Sequence, residues 1–211
     1  RYVSPSSSAF AAECCRHLQR SPRPRLVCAA GRQLHLLSVE GGQWVLTSTA
    51  TMDHEVACVA LFRPAAGSSP DAMDTDDAPP SALPPMAAAG MWTDLSVRLL
   101  ALPDLRQLHS ENLGGEIIPR SLLFASFESK PHLLVALGDG HVLSFVLGAA
   151  PPGSEKALVL SERKTVSLGT QPVSLVPFSS NNQQSVFACS DRCVQLWRPS
   201  PPRASPRPPR S

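Results

Sequence analysis

An all-β fold is what this sequence predicts, on three observations. Its apolar residues fall in short runs bounded by Gly, Pro, Asp and Ser, without sustained helical periods. Several runs come in pairs around a small polar turn. In "HLLVALGDGHVLSFVL", His132 to Leu147, two apolar arms flank Gly138, Asp139 and Gly140; Asp-Gly between hydrophobic runs signals a hairpin because Gly accepts the positive φ of a tight turn. This paired form recurs. Its turns fall near Gly31, Asp94, Asp139 and Asp191, the last three 45 and 52 residues apart, and the first gap of 63 contains a long Pro-, Ala- and Asp-rich stretch. Strand-rich self-similarity at roughly 40–50 residues is the signature of β-propeller blades, each built from about four short antiparallel strands. A closed ring takes roughly four to eight blades. The prediction is therefore a partial, open β-propeller of three to four blades over residues 26–197, preferred to a β-sandwich because of its period.

The elements follow in order. Residues 1–25 are rich in Ser, Ala, Pro and Arg, and "RSPRPR" cannot be helical because each Pro restricts the residue before it; a disordered arm is expected. "LVCAAGRQLHLLSV" reads as a hairpin about Gly31 and Arg32, and "QWVLTSTATM" as an alternating, half-buried strand. "HEVACVALF" reads as a short apolar strand ending at Arg63. Residues 64–90 hold four Asp and no Lys or Arg among many Pro, Ala and Ser. Such a composition buries too little apolar surface to offset its ordering entropy, so a disordered acidic insert is expected. "MWTDLSVRLLALPDLRQLH" is a second pair of arms, about Thr93 and Asp94. "LGGEIIPRSLLFASF" reads as a Gly-Gly break, a short strand, Pro119 and a further strand. After the Gly138–Gly140 hairpin, "PPGSEK" forms a turn, "RKTVSLGTQPVSLVPF" supplies two strands, and "SVFACSDRCVQLW" a last hairpin. Residues 198–211, with four Arg, six Pro and no acid, are expected to be a disordered tail.

Composition narrows the function classes. Apolar residues make up 43% of the 211 residues, enough for a core, and a net charge of +2 marks neither a polyanion binder nor an acidic solvating chain. The six Cys, at positions 14, 15, 28, 58, 189 and 193, form no C-x-x-C pair, and three sit in strand-like apolar runs, so buried reduced thiols are expected. No apolar run approaches the ~20 residues of a membrane span, and the N-terminal residues lack the pattern of a secretory signal. The chain does not begin with Met, which suggests a trimmed N-terminus or a fragment. No H-E-x-x-H, G-x-S-x-G, Walker or G-x-G-x-x-G motif occurs. His54 and Glu55, adjacent on an expected strand, would point to opposite faces and could not share a metal. The expectation is a non-enzymatic protein with no cofactor and no metal. The better functional signals are Trp44, Trp92 and Trp197, each near a strand end. They either fill core or anchor a partner, Trp being enriched at interface hot spots. The Arg-rich tail could meet phosphate by charge alone, without sequence preference.

Six segments, "DHEVACVALF", "WTDLSVRLLALPDL", "LGGEIIPRSLLFASFES", "LLVALGDGHVLSF", "LGTQPVSLVPF" and "VFACSDR", resemble in order the family of the large subunit of the damaged-DNA-binding complex, the three-propeller adaptor of cullin–RING ubiquitin ligases. That family is similar in architecture to the large propeller subunits of splicing factor 3b and of the cleavage and polyadenylation specificity factor. The resemblance runs from about Leu26 to Arg192 and corresponds to part of the second propeller, the one that docks the cullin scaffold. Residues 1–25, the length of the acidic insert and the sequence after Arg192 depart from the pattern. The resemblance implies a scaffold of nucleus and cytoplasm whose partners are a cullin and other propellers of the same family, with no membrane. A truncated product without independent function is a further alternative. The resemblance places Glu55, of the H-E-V-A-C segment, and Trp92, of W-T-D, on the cullin side. The competing expectation is a nucleic-acid-binding module of a related repair or RNA-processing assembly, resting on the basic tail.

Overall fold

A computed structural model of the protein describes residues 15–17, 25–62, 83–127, 130–150, 158–180, 183–191 and 194–197. The arm before Cys15, the central acidic residues 63–82 and the tail from 198 onward lie outside the described residues. So do the side chains of Cys15 and Trp197.

Among the described residues fifteen strands form four antiparallel sheets, each a consecutive meander. The first sheet holds β1 (Cys15–His17), β2 (Arg25–Ala30), β3 (Gln33–Glu40) and β4 (Gln43–Thr51). The second holds β5 (Val56–Phe62), β6 (Met86–Met91), β7 (Ser96–Ala101) and β8 (Gln107–Asn112). The third holds β9 (Pro119–Phe127), β10 (Lys130–Leu137), β11 (His141–Ala149) and β12 (Leu158–Ser167). The fourth is described over β13 (Ser174–Ser180), β14 (Gln183–Cys189) and β15 (Val194–Trp197). The first strands of successive sheets lie side by side, β1 against β5, β5 against β9 and β9 against β13. These are blades radiating from a shared axis, an open arc of the expected propeller. The four recurring turns each join the second and third strands of a blade.

The cores lie between blades, not within them. One unites β2 and β3 with β5, β6 and β7; a second joins blades two and three; a third joins blades three and four. Alternate residues of one strand therefore serve opposite cores. On β6, Met86 and Ala88 face blade three while Ala87, Ala89 and Met91 face blade one. On β10, Leu133 and Val135 face blade two while Leu134 and Ala136 face blade four. A strand buried on both faces reads as a continuous apolar run, which explains "LLVAL".

Five expectations need correcting. The insert does not extend to Gly90: β6 begins at Met86 and is buried throughout. Its small side chains fit a narrow gap, and a Cβ on Gly90 would stand 2.7 Å from Cys58 Sγ and 3.0 Å from Pro119. The N-terminal arm is not wholly irregular, since Cys15, Arg16 and His17 pair with Cys28, Val27 and Leu26. Glu116 to Ile118 form no strand; Gly114 and Gly115, at φ of 70° and 83°, turn the chain out of the sheet, and the strand starts at Pro119. His54 and Glu55 precede β5 in a crossover, so strand alternation does not set their directions. Of the described thiols, Cys58 is buried, whereas Cys28 and Cys189 are only half-buried.

Candidate functional site

The blade crossovers and the second-to-third-strand turns gather at one end of the arc, held by a repeated set of backbone hydrogen bonds. The amides of Met52, Leu113 and Leu168, one in each crossover, donate to the carbonyls of Arg32, Leu95 and Gly140, one in each turn. Turn amides answer in the other direction. Trp92 N–H donates to Glu55 C=O at 2.8 Å and Gly138 N–H to Ile118 C=O at 3.1 Å. The two residues singled out by resemblance are thus brought together, through the main chain.

The Trp92 turn is stiff. Its Asp94 accepts from Ser96 N–H at 3.3 Å and from Ser96 Oγ–H at 2.9 Å, the Asx-turn pattern that Asp favours. The other Asp94 oxygen takes a 2.8 Å ion pair from Arg98, which also reaches Asp53 at 3.3 Å and Gln107 at 3.0 Å. Arg98 therefore clamps the turn to the crossover that carries Glu55. Partial burial pushes the Asp94 carboxyl upward, but the hydrogen bonds from Arg98 and Ser96 together with the Arg98 charge hold it below the usual carboxylate range. The same turn device recurs in blade three, where Asp139 accepts from His141 N–H at 3.1 Å.

On this frame Trp92 stands 40% exposed, while its neighbour Met91 is fully buried. Glu55, whose carbonyl accepts the Trp92 amide, has an exposed side chain. The guanidinium of Arg120, from the start of β9, lies over the indole with Cζ 5.7 Å from the ring centroid. No sequence signal marked Arg120, because its contact crosses from one blade to the next. Of the other tryptophans, Trp44 is 48% exposed on the outermost strand of blade one, away from this cluster, as are its neighbours Val45 and Leu46. Among the described residues no group of three or more His, Cys, Asp or Glu side chains is placed to hold a metal ion.

The family described as the RSE1/DDB1/CPSF1 second beta-propeller matches residues 22–202. The chain belongs to that family. It is 43% identical to DNA damage-binding protein 1 of Oryza sativa subsp. japonica over 172 residues, covering 82% of this chain and 14% of that protein. It is 45% identical over 165 residues to DNA damage-binding protein 1 of Solanum lycopersicum, covering 77% of this chain and 13% of the relative. Against DNA damage-binding protein 1a of Arabidopsis thaliana it is 40% identical over 172 residues, 82% of this chain and 14% of that protein. The chain thus spans about one-seventh of the length of these relatives. As an RSE1/DDB1/CPSF1-type propeller it has the architecture of a protein–protein scaffold, and the tied crossovers and turns give that scaffold a rigid rim.

Proposed function

We propose that the chain is a non-enzymatic docking segment of a ubiquitin-ligase adaptor, and that the rim carrying Trp92 and Glu55 receives the N-terminal region of a cullin scaffold. The observation that carries this is a large indole left 40% exposed on a turn whose backbone is fixed at both ends. A preorganised, half-exposed Trp costs little entropy to bury and suits a hot spot. The exposed Glu55 carboxylate supplies a negative charge at the rim, where charges set encounter rate and partner choice more than affinity.

Calorimetric titration of the chain with the N-terminal region of a cullin tests the proposal. Trp92→Ala is expected to weaken binding about thirtyfold or more, the scale of a hot-spot residue. Glu55→Ala keeps the carbonyl that anchors the turn, so it is expected to slow association and flatten the salt dependence while changing affinity only about two- to fivefold. A folded wild-type chain that binds no cullin would overturn the proposal.

A further inference from the structure

Arg120 sits at the joint between the second and third blades. Pro119, just before it, is the wedge of that joint. It packs on the bare backbone of Gly90, and its carbonyl accepts the Cys58 thiol at 3.5 Å. With Pro119 fixed, Arg120 emerges between two turns. Its Cγ would lie 3.8 Å from a Cβ built on Gly138, in the blade-three turn, and its guanidinium covers Trp92, in the blade-two turn. The residue is exposed.

A guanidinium over an indole does two things. The cation–π attraction limits the swing of the ring. The planar group also keeps its N–H edges free for a carboxylate, which it can grip with two parallel hydrogen bonds. Among the described residues no hydrogen bond or ion pair engages the Arg120 guanidinium.

We infer that Arg120 belongs to the docking surface, fixing the Trp92 indole and offering its N–H edge to a carboxylate on the partner. This rests on the docking role proposed above. The surface then spans the joint between two blades, and the partner it fits sets an acidic side chain beside an apolar one. Neither blade alone carries the site.

The test uses the full chain, the N-terminal region of a cullin, and the variants Arg120→Ala, Arg120→Lys, Trp92→Ala and the double alanine variant. Arg120→Ala is expected to weaken binding roughly five- to twentyfold at low salt and less at high salt. Arg120→Lys, which keeps the charge, should recover part of the loss. In the Trp92→Ala background the Arg120→Ala penalty should shrink about two- to fivefold, because the stacking component has already gone. In the free chain Arg120→Ala should shift the indole N–H resonance of Trp92 and leave that of Trp44 in place. If Trp92→Ala abolishes binding while Arg120→Ala binds as wild type, or if the two losses simply add and the Trp92 resonance stays put, the role of Arg120 is overturned and the docking role stands. If Trp92→Ala binds as wild type, the docking role and this inference fall together.

Discussion

At the scale of single residues, most of the chemistry at the rim is turn chemistry. Asp94 reads from sequence as a turn former, and it is one, but its second oxygen also draws Arg98 and through it Asp53. That three-way tie has a pH signature. The folded carboxyl lies below its ordinary value of 3.8, so the stability it contributes is present above that value and is lost as pH falls through the lower, folded one. Asp94→Asn should therefore lower the urea midpoint clearly at pH 6, and the gap to wild type should narrow by pH 3. Equal gaps at both values would show that ionisation of Asp94 adds nothing. Glu55 and Trp92 were reachable because their segments resemble a family. Arg120 was not, since its guanidinium meets Trp92 only after two blades pack, and neither spacing nor composition encodes that contact.

Among elements, the hairpins were the most legible, because Gly and Asp turn chemistry is local. What failed was any element whose identity depends on its neighbours. "MAAAGM" resembles the low-complexity residues before it, yet β6 is buried throughout. Small side chains there are a packing requirement, imposed by Cys58 and Pro119 against Gly90. "GEII" looks like a strand, but two glycines at positive φ make it a crossover. The crossover and turn also explain Gly140. At φ 91°, a Cβ on it would stand 2.3 Å from the Gly169 carbonyl oxygen, a backbone atom with little room to retreat. Gly140→Ala should cost at least about 1–3 kcal/mol in denaturant unfolding, the range of a strained backbone position. Gly148→Ala, in a strand with nothing within 4 Å of its Cβ, is the matched control and should cost far less.

For the whole molecule, the division of each strand between two cores is the organising fact. Leu133 and Leu134 are sequence neighbours, both fully buried, and they serve the core toward blade two and the core toward blade four respectively. Each Leu→Ala change should cost about 2–5 kcal/mol. Because the two side chains face opposite ways, the double variant should lose close to the sum in equilibrium unfolding; a marked shortfall would mean that the two cores are energetically one. The blade period was visible along the sequence because every blade repeats the same hairpin. The fit of one blade to the next was not, being spread over residues far apart in the chain. A last consequence belongs to the amide of Val56, at the head of blade two, which donates to the Gly31 carbonyl in the turn of blade one at 2.9 Å. It couples the pitch of the fan at that joint to a turn of the reading edge. Divergence that remodels this edge must also re-aim the neighbouring wedge, so sequence change is cheapest on the outermost strands, where Leu46 already stands in water.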